Sequence, residues 1–264
     1  MMLYALILIL LFLLVLRFLY LGKEKERFKV ATINFGHKNN DPLVIKKGKE
    51  CLIIVTDPVG TSRSGESACL IAKQTIVKFY ETSIANVSPT EFLKKACFLA
   101  HRAIGEQMNA NSGGCSIALV YIHNKQLNYA SVGDIKIGVF GRELHQMNQL
   151  DLYKYQLSNQ VLERKINEDH LLNNSLRNEL TGYLGHENLK KVNLSDQHIL
   201  LKRYDKLLIT TKGIYNVITP LELEFILRQG TPIKNIEVLK QIYHEQRLKD
   251  EKKQASGVII SHFK

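Results

Sequence analysis

The N-terminal residues of this chain are apolar at almost every position. Residues 1–22 form a run that is broken only by Arg17. About twenty apolar residues in a helix rising about 1.5 Å per residue match the roughly 30 Å hydrocarbon thickness of a bilayer. The uncharged start and the lack of a small-residue cleavage site argue against a signal peptide. We therefore predict a transmembrane helix at 1–22, a juxtamembrane spacer at 23–27 and one domain over 28–264.

The charges that follow this segment predict its orientation. Basic residues occur at Lys23, Lys25, Arg27 and Lys29, and positively charged flanks stay on the cytoplasmic side of a membrane. We therefore expect a single-pass protein of the cell membrane whose C-terminal domain lies in the cytosol. The alternative, a buried helix of a soluble domain, would need protein on every side of the segment.

Beyond residue 28, apolar and polar residues alternate with two different periods. Runs rich in β-branched residues predict strands at 28–33, 51–56, 116–122, 127–132, 136–140, 198–201, 206–211 and 258–261. Runs with helical spacing predict helices at 68–80, 89–108, 220–228 and 233–248. Capping boxes begin the second and third of these helices, at Ser88 and Thr219. Turns are predicted at 57–60, 123–126 and 133–134, whereas 142–197 shows no clear period.

The composition narrows the classes of function. A chain of 264 residues with 45% apolar content can form one packed domain. The formal charge of +11 would suit nucleic acid, but the basic residues are spread along the chain without a nucleic-acid-binding motif. A basic face toward anionic lipid is the more economical interpretation. We expect the four single cysteines to be reduced core residues; they are Cys51, Cys69, Cys97 and Cys115.

Short motifs lie near the ends of the predicted elements in a fixed order. They are Lys38-Asn39-Asn40-Asp41, Asp57-Pro58-Val59-Gly60, Gly65-Glu66, Gly114-Cys115-Ser116, Ser131-Val132-Gly133-Asp134, Leu180 to Gly185, Asp205 to Gly213, and Ser256-Gly257-Val258. In this order they resemble the motifs of the PPM family, the metal-dependent type-2C protein Ser/Thr phosphatases, and especially its small bacterial members. The resemblance covers essentially all of 28–264. It implies an α+β fold, a four-layer α-β-β-α sandwich.

The resemblance also implies a chemistry and a set of ligands. Phosphatases of this family use two Mg²⁺ or Mn²⁺ ions that share and activate a water molecule. Hard cations of this kind take oxygen ligands. The resemblance implies that Asp57 would bridge the ions, that the carbonyl of Pro58 would bind one of them, and that Asp41 would be an acidic ligand of the same ion.

Three positions depart from the family pattern. Lys212 stands where an aspartate ligand of the other ion should follow the strand, and Ser256, or Gly257 after a one-residue shift, stands where a second should be. Lys38 replaces the phosphate-binding arginine and lacks its bidentate fork. We therefore expect no metal cofactor. We hypothesise that the Lys212 ammonium lies within about 6 Å of Asp57 and replaces the metal charge, rather than pointing into solvent.

These departures predict a catalytically impaired phosphatase-like domain, or pseudophosphatase. It would act as a scaffold or regulatory subunit that binds a phosphoprotein, a kinase or a membrane complex. The alternative is a divergent Mn²⁺- or Mg²⁺-dependent protein Ser/Thr phosphatase that recruits Asp134 or Asp205 as a ligand. A third interpretation, a basic adaptor on a membrane surface or nucleic acid, is supported by no motif.

Overall fold

A computed structural model describes residues 9–16, 28–36, 40–83, 87–108, 113–187, 189–247 and 256–262. Residues 9–16 form helix α1, and its eight consecutive apolar side chains are all exposed. Within the ranges given above, no helix is both long enough and apolar enough to cross a bilayer. Most of the predicted span at 1–22 and all of the spacer at 23–27 lie outside them.

The domain contains eleven strands and seven helices among the described residues after 28. The strands are β1 Phe28–Asn34, β2 Leu43–Lys47, β3 Glu50–Gly60, β4 Gly113–His123, β5 Gln126–Val132, β6 Lys136–Phe140, β7 Leu144–Gln146, β8 Asn193–Leu194, β9 Ile199–Leu200, β10 Lys206–Thr210 and β11 Ser256–His262. The helices are α2 Ser62–Ser83, α3 Pro89–Gln107, α4 Tyr153–Leu162, α5 Glu168–Asn173, α6 Lys212–Tyr215, α7 Pro220–Arg228 and α8 Pro232–Arg247.

The strands form two antiparallel sheets. Sheet A has the order β1-β11-β10-β6-β7, and sheet B has the order β2-β3-β4-β5-β8, with β9 also paired to β5. Because successive side chains of a strand point to opposite faces, β3 supplies two cores. Leu52 and Ile54 pack against α2 and α3, whereas Ile53 and Val55 pack between the sheets.

A third apolar core lies on the outer face of sheet A. It joins Leu208 to side chains of α7 and α8, including Leu227 and Tyr243. The layers are therefore α2 and α3, sheet B, sheet A, and α7 with α8. This arrangement confirms the expected α+β domain with two sheets between pairs of helices.

Several local predictions are confirmed at the level of single hydrogen bonds. Ser88 caps α3 by accepting from the N–H of Glu91, and Thr219 and Glu222 form a complete capping box at α7. The hairpin turn between β4 and β5 is formed by Asn124 and Lys125, both with positive φ. The four cysteines are buried free thiols.

Other predictions are wrong. Residues 57–60 do not form the predicted turn, but continue β3 and pair with Gly113 to Ser116 of β4. Strand β2 is absent from the predicted elements, and α2 begins six residues before the predicted start at Ala68. Residues 142–197 fold as β7, α4, α5 and β8 with connecting turns. The backbone of Asp151 and Leu184 in this stretch pairs with Gly133 and Cys115, which places it beside the residues described next.

Candidate functional site

Asp57 occupies the end of β3 on the face between the two sheets. It follows Ile53 and Val55 in the alternation of this strand, and its backbone lies opposite Ser116 of β4. The unexpected length of β3 is what sets this position, because a strand fixes the direction of the side chain where a turn would not. Asp57 is partly buried.

A second carboxylate reaches the same place from the loop after β5. Asp134 is almost fully buried, and its Oδ1 accepts a hydrogen bond of 3.1 Å from Ser116 Oγ. Gly133 makes this approach possible: its φ is +99°, and a Cβ there would lie 2.2 Å from Ser116 Oγ. Asp151 holds the loop by accepting from the N–H of Gly133 at 2.7 Å.

Lys212 interacts with both carboxylates. Its ammonium lies 3.8 Å from Oδ2 of Asp134, and its charge and backbone N–H lower the pKa of Asp57. Asp134 is thus an ion-pair partner of the ammonium. The hypothesis that this ammonium lies within about 6 Å of Asp57 stays a prediction, and the charge of Lys212 acts on Asp57 by lowering the pKa of its carboxyl.

The surroundings of Asp57 favour its neutral form. Burial raises the pKa of this carboxyl well above its ordinary value, and the negative charge of Asp134 raises it further. The charge and the N–H of Lys212 act in the opposite direction and do not cancel the effect. The two carboxylates therefore share a site in which one positive side chain offsets part of their repulsion.

An aromatic side chain supports the Asp134 loop from α6. The hydroxyl of Tyr215 donates to the carbonyl of Asp134 at 2.9 Å. The ammonium of Lys136 lies 4.0 Å from the centre of the Tyr215 ring, a cation–π contact. Burial raises the pKa of Tyr215, and burial together with the charge of Lys154 lowers the pKa of Lys136.

Ser256 and Gly257, the positions of β11 that depart from the family pattern, face opposite sides of sheet A. Ser256 follows the alternation of Val258, whose side chain packs between the sheets, and it bonds to Thr211 through both backbone groups. A Cβ on Gly257 would lie 2.9 Å from Cδ1 of Ile214, in the outer core. Ser256 is thus the position from which a carboxylate would project toward Asp57, and here it carries a hydroxyl.

The other predicted residues have their own contacts. Asp41 accepts from the side-chain amide of Asn34 at 2.5 Å, and its carbonyl accepts from Lys73 at 2.6 Å. Lys38, the predicted phosphate contact, lies outside the described residues. Asp205 is at the opposite end of β10 from Lys212, where it caps a turn by accepting from the N–H of Lys202, so it cannot be recruited as a ligand.

Ser116 and Tyr215 are parts of the site that sequence reasoning missed. Ser116 belongs to the motif Gly114-Cys115-Ser116, but the sequence assigned it no role in the site. Its contact with Asp134 depends on the register between β3 and β4. Tyr215 lies three residues after Lys212, which is one helical turn, and this spacing was the available signal.

Solved structures of bacterial phosphatases superpose on nearly the whole domain. The serine/threonine phosphatase of S. agalactiae aligns with a TM-score of 0.71 and 18% identity over 89% of this chain and 99% of its own. Mycobacterium tuberculosis PstP/Ppp aligns with a TM-score of 0.70 and 15% identity over 90% and 99%. The PstP catalytic domain in complex with two manganese ions has a TM-score of 0.67, 15% identity and the same coverage. This chain has the fold of the PPM-type phosphatases.

At these identities the likeness shows the fold alone. No family model matches the sequence, and no curated protein matches it. The motifs that resemble the PPM family are therefore supported by the architecture they build, and the activity of this particular chain has to be argued from its own residues.

The side chains of this phosphatase-like site do not fit a pair of divalent ions. Such a pair needs oxygen ligands on both sides of a bridging carboxylate. In the part of the chain that the structure describes, no three His, Cys, Asp or Glu side chains group as a metal site. The interacting carboxylates here are Asp57, Asp134 and Asp151. Asp134 pairs with the ammonium of Lys212 and accepts from Ser116, and Asp151 accepts from the N–H of Gly133.

Proposed function

We propose that this protein is a membrane-anchored pseudophosphatase, a catalytically impaired phosphatase-like domain that acts in the cytosol as a scaffold or regulatory binding subunit. One observation carries the proposal: the Lys212 ammonium lies 3.8 Å from Oδ2 of Asp134, and its charge also acts on Asp57. A covalently attached cation thus occupies the neighbourhood in which the fold would otherwise hold a divalent ion.

The electrostatics of the site support impaired catalysis. A divalent ion would meet the positive charge of Lys212 and a carboxyl at Asp57 that binds a proton more readily than usual. Both effects weaken cation binding. Hydrolysis in this fold class needs a water molecule activated by metal, and the serine, tyrosine and lysine side chains around Asp134 include no substitute for that activation.

The surface next to the site supports a binding role. Three lysines lie in this neighbourhood. Lys212 pairs with Asp134, Lys136 contacts the ring of Tyr215, and the charge of Lys154 lowers the pKa of Lys136. Lysine side chains of this kind suit a phosphorylated protein segment as point charges. Three exposed leucines lie in the neighbouring stretch, at Leu162, Leu172 and Leu176, and would add apolar contact area.

The alternative function is a divergent Mn²⁺-dependent protein Ser/Thr phosphatase. Its support is the proximity of Asp57 to Asp134, whose charges interact. Under this alternative the Lys212 ammonium would have to move into solvent, and its side chain is 41% exposed. Manganese or magnesium would then be the cofactor.

The two functions are separated by metal titration of the full chain. Calorimetry with Mn²⁺ and hydrolysis of a phosphopeptide are measured for the wild type and for Lys212→Asp combined with Ser256→Asp. We expect no tight Mn²⁺ binding and no Mn²⁺-dependent turnover in the wild type, and a gain of Mn²⁺ affinity of at least about tenfold in the double variant, because two carboxylates are restored.

Two further variants make the result decisive. Lys240→Asp makes the same change of charge as Lys212→Asp, but on the exposed face of α8, and should leave Mn²⁺ binding unchanged. Binding of two Mn²⁺ ions by the wild type, with turnover that Asp57→Asn abolishes, would establish the phosphatase and exclude the pseudophosphatase.

A further inference from the structure

The end of the sandwich opposite Asp57 is ringed by basic side chains. Two hydrogen bonds join segments at this end: Lys46 Nζ of β2 donates to the carbonyl of Phe28 at 3.1 Å, and the N–H of Leu201 donates to the carbonyl of Lys125 at 2.9 Å. We name as the basic end the side chains of Lys46, Lys47, Lys49, Lys125, Arg142, Lys202 and Arg203.

The basic end also exposes large apolar surface. Tyr204 is 75% exposed and Leu200 is 65% exposed. Arg203 lies against the Tyr204 ring, 5.3 Å from its centre. An open groove of about 950 Å³ runs between Arg142 and Lys202. A strongly positive surface with an exposed tyrosine at its centre is unusual for a face that contacts water alone.

Few acidic groups oppose this charge. Among the described residues, those at the same end are Glu50, Glu143 and Asp205. Glu50 is turned toward Tyr80, which donates to it, and Asp205 accepts from the N–H of Lys202. The charge of the basic end is therefore largely available to an external anion.

We propose that the basic end lies on the anionic lipid headgroups of the membrane that holds the N-terminal segment. The proposal rests on the proposed anchoring of residues 1–22. Each basic side chain near an anionic bilayer adds electrostatic attraction, and tyrosine is favoured at the headgroup level. The anchor would fix the domain to the membrane, and the basic end would fix its orientation.

The short covalent connection between the N-terminal segment and the domain favours lipid over nucleic acid as the ligand of the basic end. The domain begins at Phe28, which is itself part of this end. The five residues of the spacer at 23–27 reach at most roughly 18 Å when fully extended. A domain tethered so closely must present the Phe28 end to the bilayer or lie on its side, and the basic side chains are at that end.

This orientation has a consequence for the candidate site. Strand β1 runs from Phe28 to Asn34, and Asn34 pairs with Ser256 beside the site. A strand of this length spans about 20 Å. The carboxylates and Lys212 would therefore point away from the membrane, toward partners in the cytosol.

The chain contains no tryptophan, so a single substitution supplies a specific reporter. The full chain carrying Tyr204→Trp is reconstituted into vesicles of phosphatidylcholine, with or without phosphatidylglycerol, and quenching by doxyl-labelled lipid is measured. We expect quenching at least about twofold stronger with phosphatidylglycerol, and loss of this difference when Arg142→Glu, Lys202→Glu and Arg203→Glu are added together. Leu162→Trp, exposed on α4 near the site, is the matched control and should remain unquenched.

Flotation of the same samples separates this inference from the anchoring on which it rests. A chain that does not float with either vesicle would overturn the anchoring. If the chain floats but its Tyr204→Trp fluorescence is unquenched, or is quenched equally in both lipids, the basic end is not a surface for anionic lipid. That result would leave the anchoring intact. Relief of the Tyr204→Trp quenching by added duplex DNA or RNA would also overturn this lipid contact and would assign the surface to nucleic acid.

Discussion

Lys212 and Asp134 form an ion pair of 3.8 Å in which the carboxylate is almost fully buried and the ammonium is partly exposed. The second oxygen of Asp134 accepts from Ser116 Oγ. Both oxygens of this carboxylate therefore have protein partners.

Replacing Lys212 by methionine should destabilise the domain. Asp134 would keep its charge in a nearly buried position without its cationic partner, but water screens a lysine that is 41% exposed. We expect a loss of about 1 kcal/mol in the free energy of unfolding, measured by urea unfolding of the full chain at pH 7. Lys240→Met, on the exposed face of α8, is the control and should change stability by less than about 0.5 kcal/mol. Equal effects of the two variants would show that the ion pair is not stabilising.

Replacing Asp57 by asparagine should stabilise the domain at neutral pH. The pKa of this carboxyl is raised in the folded state, first by burial and then by Asp134, so the folded protein binds the proton more tightly than the unfolded chain does. Between the unfolded pKa of about 4 and the raised folded pKa, the stability contributed by this group falls as the pH rises.

The gain in Asp57→Asn, on the order of 1 kcal/mol, should therefore be greatest above the raised pKa and should shrink as the pH falls toward 4. Thermal unfolding at a series of pH values in this range measures the gain. The control is Asp196→Asn, because Asp196 is exposed. A difference between wild type and Asp57→Asn that grows on acidification would contradict the assignment of the shifted group.

Replacing Gly133 by alanine should be strongly destabilising. Its φ is +99°, and the added Cβ would lie 2.2 Å from Ser116 Oγ, within the contact that holds Asp134. We expect a loss of about 2–4 kcal/mol in the free energy of unfolding. Gly105→Ala is a matched control, because it lies in α3 with open space around the added Cβ and should stabilise by about 0.5–1 kcal/mol. Opposite signs for the two glycines are the expected result of chemical unfolding.

Replacing Tyr215 by phenylalanine tests the support of the Asp134 loop. The variant removes the hydroxyl that donates to the Asp134 carbonyl and keeps the ring that Lys136 contacts. We expect a loss of about 1 kcal/mol. Tyr215→Leu should cost more, because the cation–π contact is lost as well. A phenylalanine variant as unstable as the leucine variant would assign the stability to the hydroxyl alone and leave the cation–π contact without effect.

A lysine elsewhere in the fold provides a contrast with Lys212. The buried ammonium of Lys206 donates to the carbonyls of Leu227 and Gly230 and to Asn235 Oδ1. Lys206→Met should leave these acceptors without their donor and should destabilise by about 2–3 kcal/mol. Hydrogen exchange should show the loss first at the end of α7. An effect smaller than that of Lys212→Met would contradict the distinction between a buried structural cation and a partly exposed one.

Features that depend on neighbours in the sequence could be predicted, whereas features that depend on register could not. Ser88 and Thr219 were identified as caps because each bonds within three residues of itself. Asp57 was named as a candidate site residue from its motif. The extension of β3 that sets the direction of its side chain was not predicted, because the length of this strand is decided by its pairing with β4.

The partner of Lys212 shows the same limit. Asp57 and Asp134 are neighbours in space, and the choice between them depends on how α6 begins and on a loop that Gly133 shapes. Strand β2 was missed because Leu43–Lys47 is short and at the edge of sheet B, where its packing against β3 decides its conformation.

The order of strands in sheet A also determines how the domain can assemble. Strand β11 lies between β1 and β10, so β1 has no neighbour in its sheet until the segment at 256–262 has been synthesised. A ribosome that has not yet released this last segment would therefore hold an open half-sandwich, with sheet B complete and sheet A divided. Nascent chains of this protein should need protection from aggregation until that late strand closes the gap.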